Sequence, residues 1–463
     1  MTPLAGNPIV TAAEMRAAED VAITAGTTVD ALMGRAGAEV ARAILRLASG
    51  SEVLILCGPG NNGGDGYVAA AALREWGLPV RVAALAPPAT EAARTACAGW
   101  TGPVETLAET KSAPILVDAL FGTGLSRPLD PAIVAVLKRL NARARLSIAV
   151  DLPSGLDTDR GVALGDIPTA DVTLALGAPK PAHLLYPAAG LCGAVRVLDI
   201  GVAVSSDAAV LAAPDLPNPG PDSHKYSRGM VAIIGGDMPG AAELSAIAAL
   251  RAGAGYVLLL TDHGAPQPHA VVRKAFAPDA LTDKRIGAVI IGPGLGRSDA
   301  ACSRLDQALM SSASLVIDGD ALHLLDTARL ETLRDRAAPV IMTPHAGEFD
   351  ALFGKGDESK IDRARAAAKR SGATIVFKGA DTVIASPQGA VRIAQAANAW
   401  LSTAGTGDVL AGAVGAFLAG GGNNAFDAAC AGVWAHARAA QRLRGAFIAD
   451  DLADALTAVR SRV

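Results

Sequence analysis

The sequence contains few aromatic residues and carries little net charge. Aromatic side chains make up 3% of the 463 residues, and 41 basic against 45 acidic residues leave a formal net charge of −4. A general nucleic-acid-binding protein needs a basic face that displaces counterions from phosphates, and a base-stacking platform needs aromatic rings. We therefore expect no nucleic-acid partner.

Cysteines and long apolar runs are also scarce. The five cysteines lie far apart, without a C-x-x-C pair, at positions 57, 97, 192, 302 and 430. An odd, scattered set fits neither a disulfide framework nor a zinc site. No stretch reaches the roughly 18 apolar residues of a membrane span, and the N-terminus lacks the basic and apolar segments of a secretion signal. The sequence predicts a cytoplasmic enzyme without a membrane partner, and we expect it to form a homo-oligomer.

Short apolar strands alternate with Ala-rich helices through most of the chain. Hydrophobic residues make up 51% of the sequence, and strand–loop–helix alternation is typical of parallel sheets covered by helices on both faces. A stretch rich in Pro, Asp, Asn and Gly interrupts the pattern, which then restarts. These features predict two α/β domains, residues 1–205 and 215–463, joined by a linker over residues 206–214. The first domain is expected to be Rossmann-like and doubly wound.

Three loops of the first domain follow predicted strands. They are GPGNNGGDG (58–66), FGTGLSRP (121–128) and LPSGLD (152–157). In open parallel sheets, ligands bind at the carboxyl ends of the strands, where these loops meet. The first loop offers backbone N–H groups at a helix start, which suits nucleotide phosphates. Its spacing matches neither a Walker loop nor the standard dinucleotide fingerprint, and a plain glycine turn is the alternative.

Oxygen-bearing side chains accompany these loops. Asp118 and Asp151 each close an apolar strand, and Ser154 follows Asp151 by three residues. Asn62, Asp118 and Ser154 together offer hard oxygen ligands with one formal charge, a set that favours a monovalent cation such as K⁺ over Mg²⁺. Ordinary hydrogen bonding at strand ends is the alternative interpretation.

The second domain contains the segment AGTGD (404–408) at the start of an apolar helix. The backbone N–H groups of Gly405, Thr406 and Gly407 would face the charge that develops on a transferred phosphoryl group. Asp408 follows directly and is placed to accept a proton from a hydroxyl group. The segment Lys378–Thr382 could contact nucleotide phosphates. A simple helix cap is the alternative for residues 404–408.

Both motif sets together resemble a known family. GPGNNGGDG, VDALFGTGLSRP and DLPSGLD are similar to NAD(P)H-hydrate epimerases, whereas GPGLG, TPHAGE, KGADT and AGTGDVL are similar to ADP-dependent NAD(P)H-hydrate dehydratases, which have a ribokinase-like fold. Over nearly its whole length the chain resembles the bifunctional NAD(P)H-hydrate repair enzymes. The resemblance implies that the substrates are NADH or NADPH hydrated across the C5=C6 bond, and ADP. One domain would interconvert the R and S hydrates, and the other would dehydrate the S form while ADP yields AMP and phosphate.

The resemblance also implies the site residues. In the first domain, Asp151 would be catalytic and K⁺ would be held by Asn62, Asp118 and Ser154. The hydrate there would be bound by Asn61, Asn62, Gly63, Gly64, Asp65, Gly122, Thr123, Gly124, Leu125, Ser126, Arg127, Pro128 and Asp151. In the second domain, Asp408 would be the catalytic base and Mg²⁺ would accompany ADP. The hydrate there would contact Ala241, Gly294, His345 and Asp408. ADP or AMP would contact Lys378, Gly379, Ala380, Asp381, Thr382 and Gly407.

Three alternatives remain open at this stage. The chain could be a ribokinase-like small-molecule kinase with an accessory N-terminal domain, which would release a stable phosphorylated product. The N-terminal domain could instead be a binding module without activity. The retained first-domain motifs disfavour both. His345 could be a hydrogen-bonding loop residue and not a ligand contact.

Overall fold

The chain folds into two compact units, Met1–Val210 and Leu211–Val463. The structure is a computed structural model that describes residues 2–216, 218–262, 268–277, 279–420 and 424–460. Within these ranges no helix has both the length and the apolar character needed to span a bilayer. Each unit is built around its own sheet and its own apolar core.

The first unit alternates strands and helices, as the sequence predicts. Its helices are α1 (Ala12–Thr24), α2 (Val29–Ala48), α3 (Asn61–Glu75), α4 (Glu91–Ala98) and α5 (Pro131–Asn141). Its strands are β1 (Val53–Cys57), β2 (Val80–Ala84), β3 (Val104–Thr106), β4 (Ile115–Ala119), β5 (Leu146–Val150), β6 (Leu156–Asp157), β7 (Val162–Ala163), β8 (Val172–Leu176), β9 (Ala194–Leu198) and β10 (Ala208–Val210).

The main sheet of the first unit has the order β3-β2-β1-β4-β5-β8-β9, and all its pairings are parallel. The predicted doubly wound fold is therefore confirmed. The strand order reverses between β1 and β4, and ligands of such sheets bind at this switch point, beyond the carboxyl ends of the strands. The segments 58–66 and 121–128 leave the sheet there.

Local sequence signals fix several helix starts. The Thr11 hydroxyl accepts from the Glu14 backbone N–H, and the Glu14 carboxylate accepts from the Thr11 backbone N–H, which together form a capping box at the start of α1. Asp130 caps α5, whose first residue is Pro131. The prediction that 58–66 is all loop is wrong, because α3 already begins at Asn61.

The glycines in this first turn of α3 serve close packing. A Cβ atom at Gly63 would lie 1.9 Å from the carbonyl oxygen of Gly58, and one at Gly66 would lie 2.9 Å from the Ala119 Cβ. Glycine therefore lets the helix start close to the strand ends, after a connection of only residues 58–60.

The second unit also alternates strands and helices. Its helices are α6 (Pro239–Ala252), α7 (Asp299–Met310), α8 (Gly319–His323), α9 (Thr327–Arg334), α10 (Ala346–Phe353), α11 (Lys360–Ser371), α12 (Thr406–Ala419), α13 (Ala425–Arg442) and α14 (Ala449–Arg460). Its strands are β11 (Met230–Ile234), β12 (Tyr256–Leu260), β13 (Val272–Lys274), β14 (Ile286–Ile291), β15 (Ser314–Ile317), β16 (Val340–Met342), β17 (Thr374–Phe377), β18 (Val383–Ala385) and β19 (Val391–Ile393).

The sheet of the second unit runs in the order β19-β18-β17-β16-β15-β14-β11-β12-β13. The pairings from β17 to β13 are parallel, whereas β18 pairs antiparallel with both β17 and β19. Strands β18 and β19 therefore form a hairpin around the Pro-Gln-Gly turn. The order reverses between β11 and β14, and this places a second switch point at their carboxyl ends.

Helix α12 runs through the core of the second unit. Every residue from Val409 to Ala419 is buried, so the helix is apolar on all sides, as expected for a central helix. A Cβ atom at Gly412 would lie 2.3 Å from the carbonyl oxygen of Ser245 on α6. Glycine thus lets α6 and α12 approach closely, and this packing fixes the start of α12.

The segment 206–214 is not structureless. Ala208 and Val210 in β10 are 4% and 1% exposed, and Ala209 forms an antiparallel bridge with Pro8. The predicted linker therefore contains a short strand with two buried side chains. Its alternating small and apolar residues fit a short strand, a signal that the surrounding Pro and Asp obscure.

Candidate active sites

A cavity of about 590 Å³ lies at the switch point of the first unit. Helix α1 and the segments after β1, β4, β5 and β8 enclose it. Charged and polar residues in its wall include Glu19, Asn61, Asn62, Asp65, Asp151 and Lys180. Its size is that of a site for a small organic ligand.

Most, but not all, of the predicted hydrate-binding residues line this cavity. Those in its wall are Asn61, Asn62, Asp65, Gly122, Thr123, Gly124, Leu125 and Asp151. Gly63 and Gly64 instead pack against protein, since a Cβ atom at Gly64 would lie 2.6 Å from the Met33 side chain. Ser126, Arg127 and Pro128 lie outside the wall and are exposed, because the chain leaves the cavity towards α5.

Asp151 is held in a strained conformation by a buried lysine. Its φ of +64° lies in the left-handed region, which is uncommon for residues other than glycine. The Lys180 Nζ atom lies 2.5 Å from Asp151 Oδ1 and 2.7 Å from the carbonyl oxygen of Leu176. Lys180 is 1% exposed. Strain of this kind persists only where its surroundings fix it, and it is concentrated at functional sites.

His183 ties this pair to the backbone. The Lys180 backbone N–H donates to His183 Nδ1 over 2.8 Å, so His183 Nε2 carries the proton and donates to the Asp151 carbonyl oxygen over 2.7 Å. Burial lowers the His183 pKa to about 4, and the nearby Lys180 charge lowers it further. His183 is therefore neutral near pH 7 and acts as a fixed bridge between the two residues.

The Asp65 carboxyl faces the same cavity with no hydrogen-bond partner in the described chain. Burial raises its pKa well above the ordinary value, and the negative charges of Asp151 and Glu19 raise it further. Burial also raises the pKa of Glu19. Near neutral pH, Asp65 is therefore the carboxyl group most strongly driven towards its neutral form in this wall.

The three predicted K⁺ ligands lie on adjoining segments. Ser154 donates to Asp118 twice, from Oγ over 2.7 Å and from its backbone N–H over 2.9 Å. Burial raises the pKa of Asp118, and no basic side chain of the described residues opposes this shift. The Asn62 Nδ2 atom is buried without a hydrogen-bond partner, and Asn62 Oδ1 lies beside Gly122. The half-buried Asp118 carboxylate has no counter-charge among the described residues, and a monovalent cation would supply one.

The second candidate site begins at the N-terminus of α12. Gly405 precedes this helix with a φ of +88°, and no side chain of the described residues caps it. The first N–H groups of α12 are therefore available to an anion. Burial raises the Asp408 pKa to about 7; the charges of Asp318 and Asp320 contribute, and Lys378 opposes them. Asp408 is therefore able to exchange a proton near neutral pH.

A chain of charged groups leads from α12 to His345. The Lys378 Nζ atom lies 2.6 Å from Asp318 Oδ1 and 4.0 Å from Glu348 Oε2. A Cβ atom at Gly407 would lie 3.5 Å from the same Nζ. His345 caps α10, accepting from the Glu348 backbone N–H, and Glu348 accepts from the His345 backbone in return. His345 thus forms hydrogen bonds within its own loop, and its exposed ring is also available to a ligand.

The remaining predicted hydrate contacts lie together. Met238 donates its backbone N–H to the Gly294 carbonyl oxygen over 2.9 Å. Gly294 has a φ of +62°, and a Cβ atom there would lie 3.0 Å from the Ala241 Cβ. The Ser245 hydroxyl, one turn further along α6, donates to the Asp408 carbonyl oxygen over 2.8 Å. Helix α6 therefore connects this corner to the start of α12.

The predicted nucleotide segment Lys378–Thr382 has mixed roles. Gly379 and Ala380 are exposed, whereas Asp381 is buried and lies 2.6 Å from the Lys360 Nζ atom. The Thr382 hydroxyl donates to the Gly379 carbonyl oxygen over 2.9 Å. The Asp381 side chain therefore holds the loop through its ion pair with Lys360.

The sequence analysis does not identify several residues that lie at the two sites. They are Glu19, Lys180 and His183 in the first unit and Asp318, Glu348 and Lys360 in the second. A lysine directly after a buried strand, followed by a histidine, is the one local signal for the Lys180–His183 pair. The described residues contain no cluster of three or more His, Cys, Asp or Glu side chains able to hold a metal ion.

Comparisons with known proteins cover both units. Residues 29–182 match the family described as YjeF-related protein N-terminus, and residues 231–460 match the family described as NAD(P)H-hydrate dehydratase. A solved structure of an ADP/ATP-dependent NAD(P)H-hydrate dehydratase from Bacillus subtilis, co-crystallized with ATP and Mg²⁺, is 28% identical with a TM-score of 0.46, and the match covers 53% of this chain and 93% of that one.

Curated relatives match over most of their length. The bifunctional NAD(P)H-hydrate repair enzyme of Thermofilum pendens is 36% identical, over 89% of this chain and 87% of the relative. That of Gloeobacter violaceus is 37% identical, over 96% and 95%. The resemblance predicted from the motifs is thereby confirmed, and the chain belongs to the family of bifunctional NAD(P)H-hydrate repair enzymes.

Proposed function

We propose that this chain repairs hydrated NADH and NADPH in two steps, one in each unit. The first unit interconverts the R and S hydrates, and the second dehydrates the S hydrate with consumption of ADP. The proposal rests on one observation: a chain of this family has two separate sites, Asp151 in the cavity of the first unit and Asp408 at the start of α12. A homo-oligomer located in the cytoplasm remains a prediction.

The dehydration step converts a poor leaving group, hydroxide, into a good one, phosphate. The hydroxyl on C6 of the hydrate leaves poorly because hydroxide is a strong base. Asp408 takes the hydroxyl proton as the oxygen attacks the terminal phosphorus of ADP, and AMP departs. The ring nitrogen then expels the phosphate, and loss of a C5 proton restores the double bond. The products are NAD(P)H, AMP and phosphate.

The groups around Asp408 fit this transfer. The free N–H groups of Gly405, Thr406 and Gly407 stabilise charge on the moving phosphoryl group. Lys378 lies beside Gly407 and is able to turn from Asp318 to the ADP phosphates. Mg²⁺ prefers phosphate oxygens and water, so it would enter with ADP.

The first unit would hold K⁺ between Asn62, Asp118 and Ser154. The ion would neutralise the half-buried Asp118 carboxylate and order the loop that begins at Phe121. The Phe121 backbone N–H donates to the Ser154 hydroxyl over 2.9 Å. The hydrate would lie in the adjoining cavity, against Asn61, Asn62 and the 122–125 loop.

The Asp118→Asn variant should lose K⁺-dependent epimerisation. Asparagine keeps the size and the acceptor oxygen but removes the charge that holds the cation. We expect the epimerisation rate of the wild type, but not of the variant, to rise with K⁺ at constant ionic strength. Dehydration of pure S hydrate should be unchanged in both proteins. Crystals soaked in Rb⁺ that showed no anomalous peak between these three side chains would remove the site.

The activity of the second unit is tested with pure S hydrate. Incubation of the full chain with this hydrate and Mg²⁺–ADP should restore the dihydronicotinamide absorbance and release one AMP and one phosphate per hydrate consumed. A stable phosphorylated product without recovered absorbance would favour the small-molecule kinase.

A further inference from the structure

We propose that Asp65 is the general acid and Asp151 the general base of hydrate epimerisation. The inference rests on the proposed function of the first unit and assigns its chemical roles. Epimerisation at C6 requires both groups, because the hydroxyl proton must be removed while the ring nitrogen gains one. Two carboxyl groups in different environments can divide these tasks, as in other acid–base pairs.

Two donors hold one carboxylate oxygen of Asp151 in place. Lys180 Nζ and the Leu176 backbone N–H, at 3.2 Å, both donate to Oδ1. The second oxygen, Oδ2, faces the cavity, because a Cβ atom at Gly122 would lie 3.1 Å from it. One oxygen is therefore fixed by the ion pair, while the other is free to accept a proton from the substrate.

The Asp65 carboxyl, unlike that of Asp151, has no partner among the described residues. It is 7% exposed on the first turn of α3, and no group of the described chain hydrogen-bonds its carboxyl. The charged groups around this part of the cavity lie on α1, after β5 and after β8; they are Arg16, Glu19, Asp20, Asp151 and Lys180. Lys180 is already paired with Asp151, so Glu19 and Asp151 disfavour a further negative charge on Asp65.

Every proton that moves during the reaction is taken up or supplied by one of these two residues. Asp151 Oδ2 takes the C6 hydroxyl proton; the C6=O bond forms while the C6–N1 bond breaks, and N1 takes a proton from Asp65. Rotation about C5–C6 presents the other face of the aldehyde. N1 then attacks C6 and returns its proton to Asp65, while Asp151 returns its proton to oxygen. Both carboxyl groups end as they began, and no redox partner is needed.

The test is the pH dependence of epimerisation in the full chain. An Asp408→Asn background prevents consumption of the S hydrate, so chromatography of the two epimers reports the rate directly. In the wild-type first unit, the rate should fall at high pH as Asp65 loses its proton. Asp65→Asn mimics the neutral acid in shape but donates no carboxyl proton. We expect kcat to fall roughly 10²–10⁴-fold, the alkaline decline to disappear, and KM to change little.

Glu19→Gln is the matched control, because it removes a neighbouring carboxylate from the same cavity. Without that charge Asp65 is easier to ionise, so the alkaline decline should move to lower pH while the plateau rate changes far less than in Asp65→Asn. An Asp65→Asn protein that folds and epimerises at the wild-type rate, or that retains the alkaline decline, would overturn the assignment. A wild-type first unit without epimerisation would overturn the proposed function itself.

Discussion

Replacement of Asp408 by asparagine should lower kcat of dehydration roughly 10²–10⁴-fold. Asparagine keeps the size of the side chain but cannot accept the proton of the attacking hydroxyl. In the wild type the rate should rise with pH and level off above about 7, because the Asp408 pKa is raised to about 7 and only the ionised form is a base. Steady-state kinetics on S hydrate with saturating ADP measure both effects, and the KM for ADP should change little.

The same variant should be more stable than the wild type at high pH. The folded state holds the Asp408 proton up to about pH 7, whereas the ordinary pKa is 3.8. Between these values the folded state binds more protons, so stability falls as pH rises, and the loss persists above pH 7. Asparagine cannot ionise, so the variant does not lose this stability as the pH rises. Thermal unfolding should show a higher Tm for the variant at pH 8 and little difference near pH 4.

A helix-capping role for Asp408 predicts a different outcome. Asparagine is itself a good cap, so the variant would then keep its turnover. An Asp408→Asn protein with near wild-type kcat would remove Asp408 from the mechanism. Epimerisation by the same protein is the internal control and should be unaffected, because it takes place in the other unit.

Replacement of Lys180 by methionine should destabilise the first unit by about 3–5 kcal/mol. The change leaves the Asp151 carboxylate buried without its partner, since the two side chains are only 1% and 9% exposed. Hydrogen exchange at the amides of β5 and β8 measures the stability of this unit in the intact chain. Epimerisation should be lost as well, because Asp151 is no longer held.

The double variant Lys180→Met/Asp151→Asn distinguishes the effect of the unpaired Asp151 charge from the effect of losing the packed Lys180 side chain. Asparagine removes the unpaired charge and tolerates the left-handed backbone at position 151, so most of the lost stability should return. Activity should not return, because the base is absent. Lys180→Met with wild-type exchange rates in β5 and β8 would show that the ion pair is not required for the fold.

Much of the fold follows from local sequence patterns. Continuous apolar strands, a Thr-x-x-Glu capping box and Pro131 after Asp130 each predict the element found. The first turn of α3 does not, because glycines normally indicate a turn. Its conformation depends on the close approach of Gly63 to Gly58, a contact that only the assembled sheet creates. Strand β10 is similarly hidden in a sequence with linker composition.

The candidate sites were predictable where motifs lie at strand ends. Asp151 and the 122–125 loop follow this rule, whereas Asp408 was predicted from its motif at a helix start. Lys180 and His183 do not, because their roles depend on the left-handed backbone of Asp151 and on contacts across about 30 positions of sequence. Asp65 on α3 and Glu19 on α1 likewise come together only in the wall of one cavity, which no local pattern indicates.

Complete recovery of NAD(P)H from a mixture of R and S hydrates tests the central claim most directly. With Mg²⁺–ADP in excess, the wild-type chain should convert both epimers, because the first unit supplies S hydrate to the second. The Asp151→Asn chain should convert the S hydrate and leave the R hydrate, apart from its slow spontaneous epimerisation. Equal rates for both epimers in Asp151→Asn, or recovery of neither by the wild type, would contradict the division of activities between the two units.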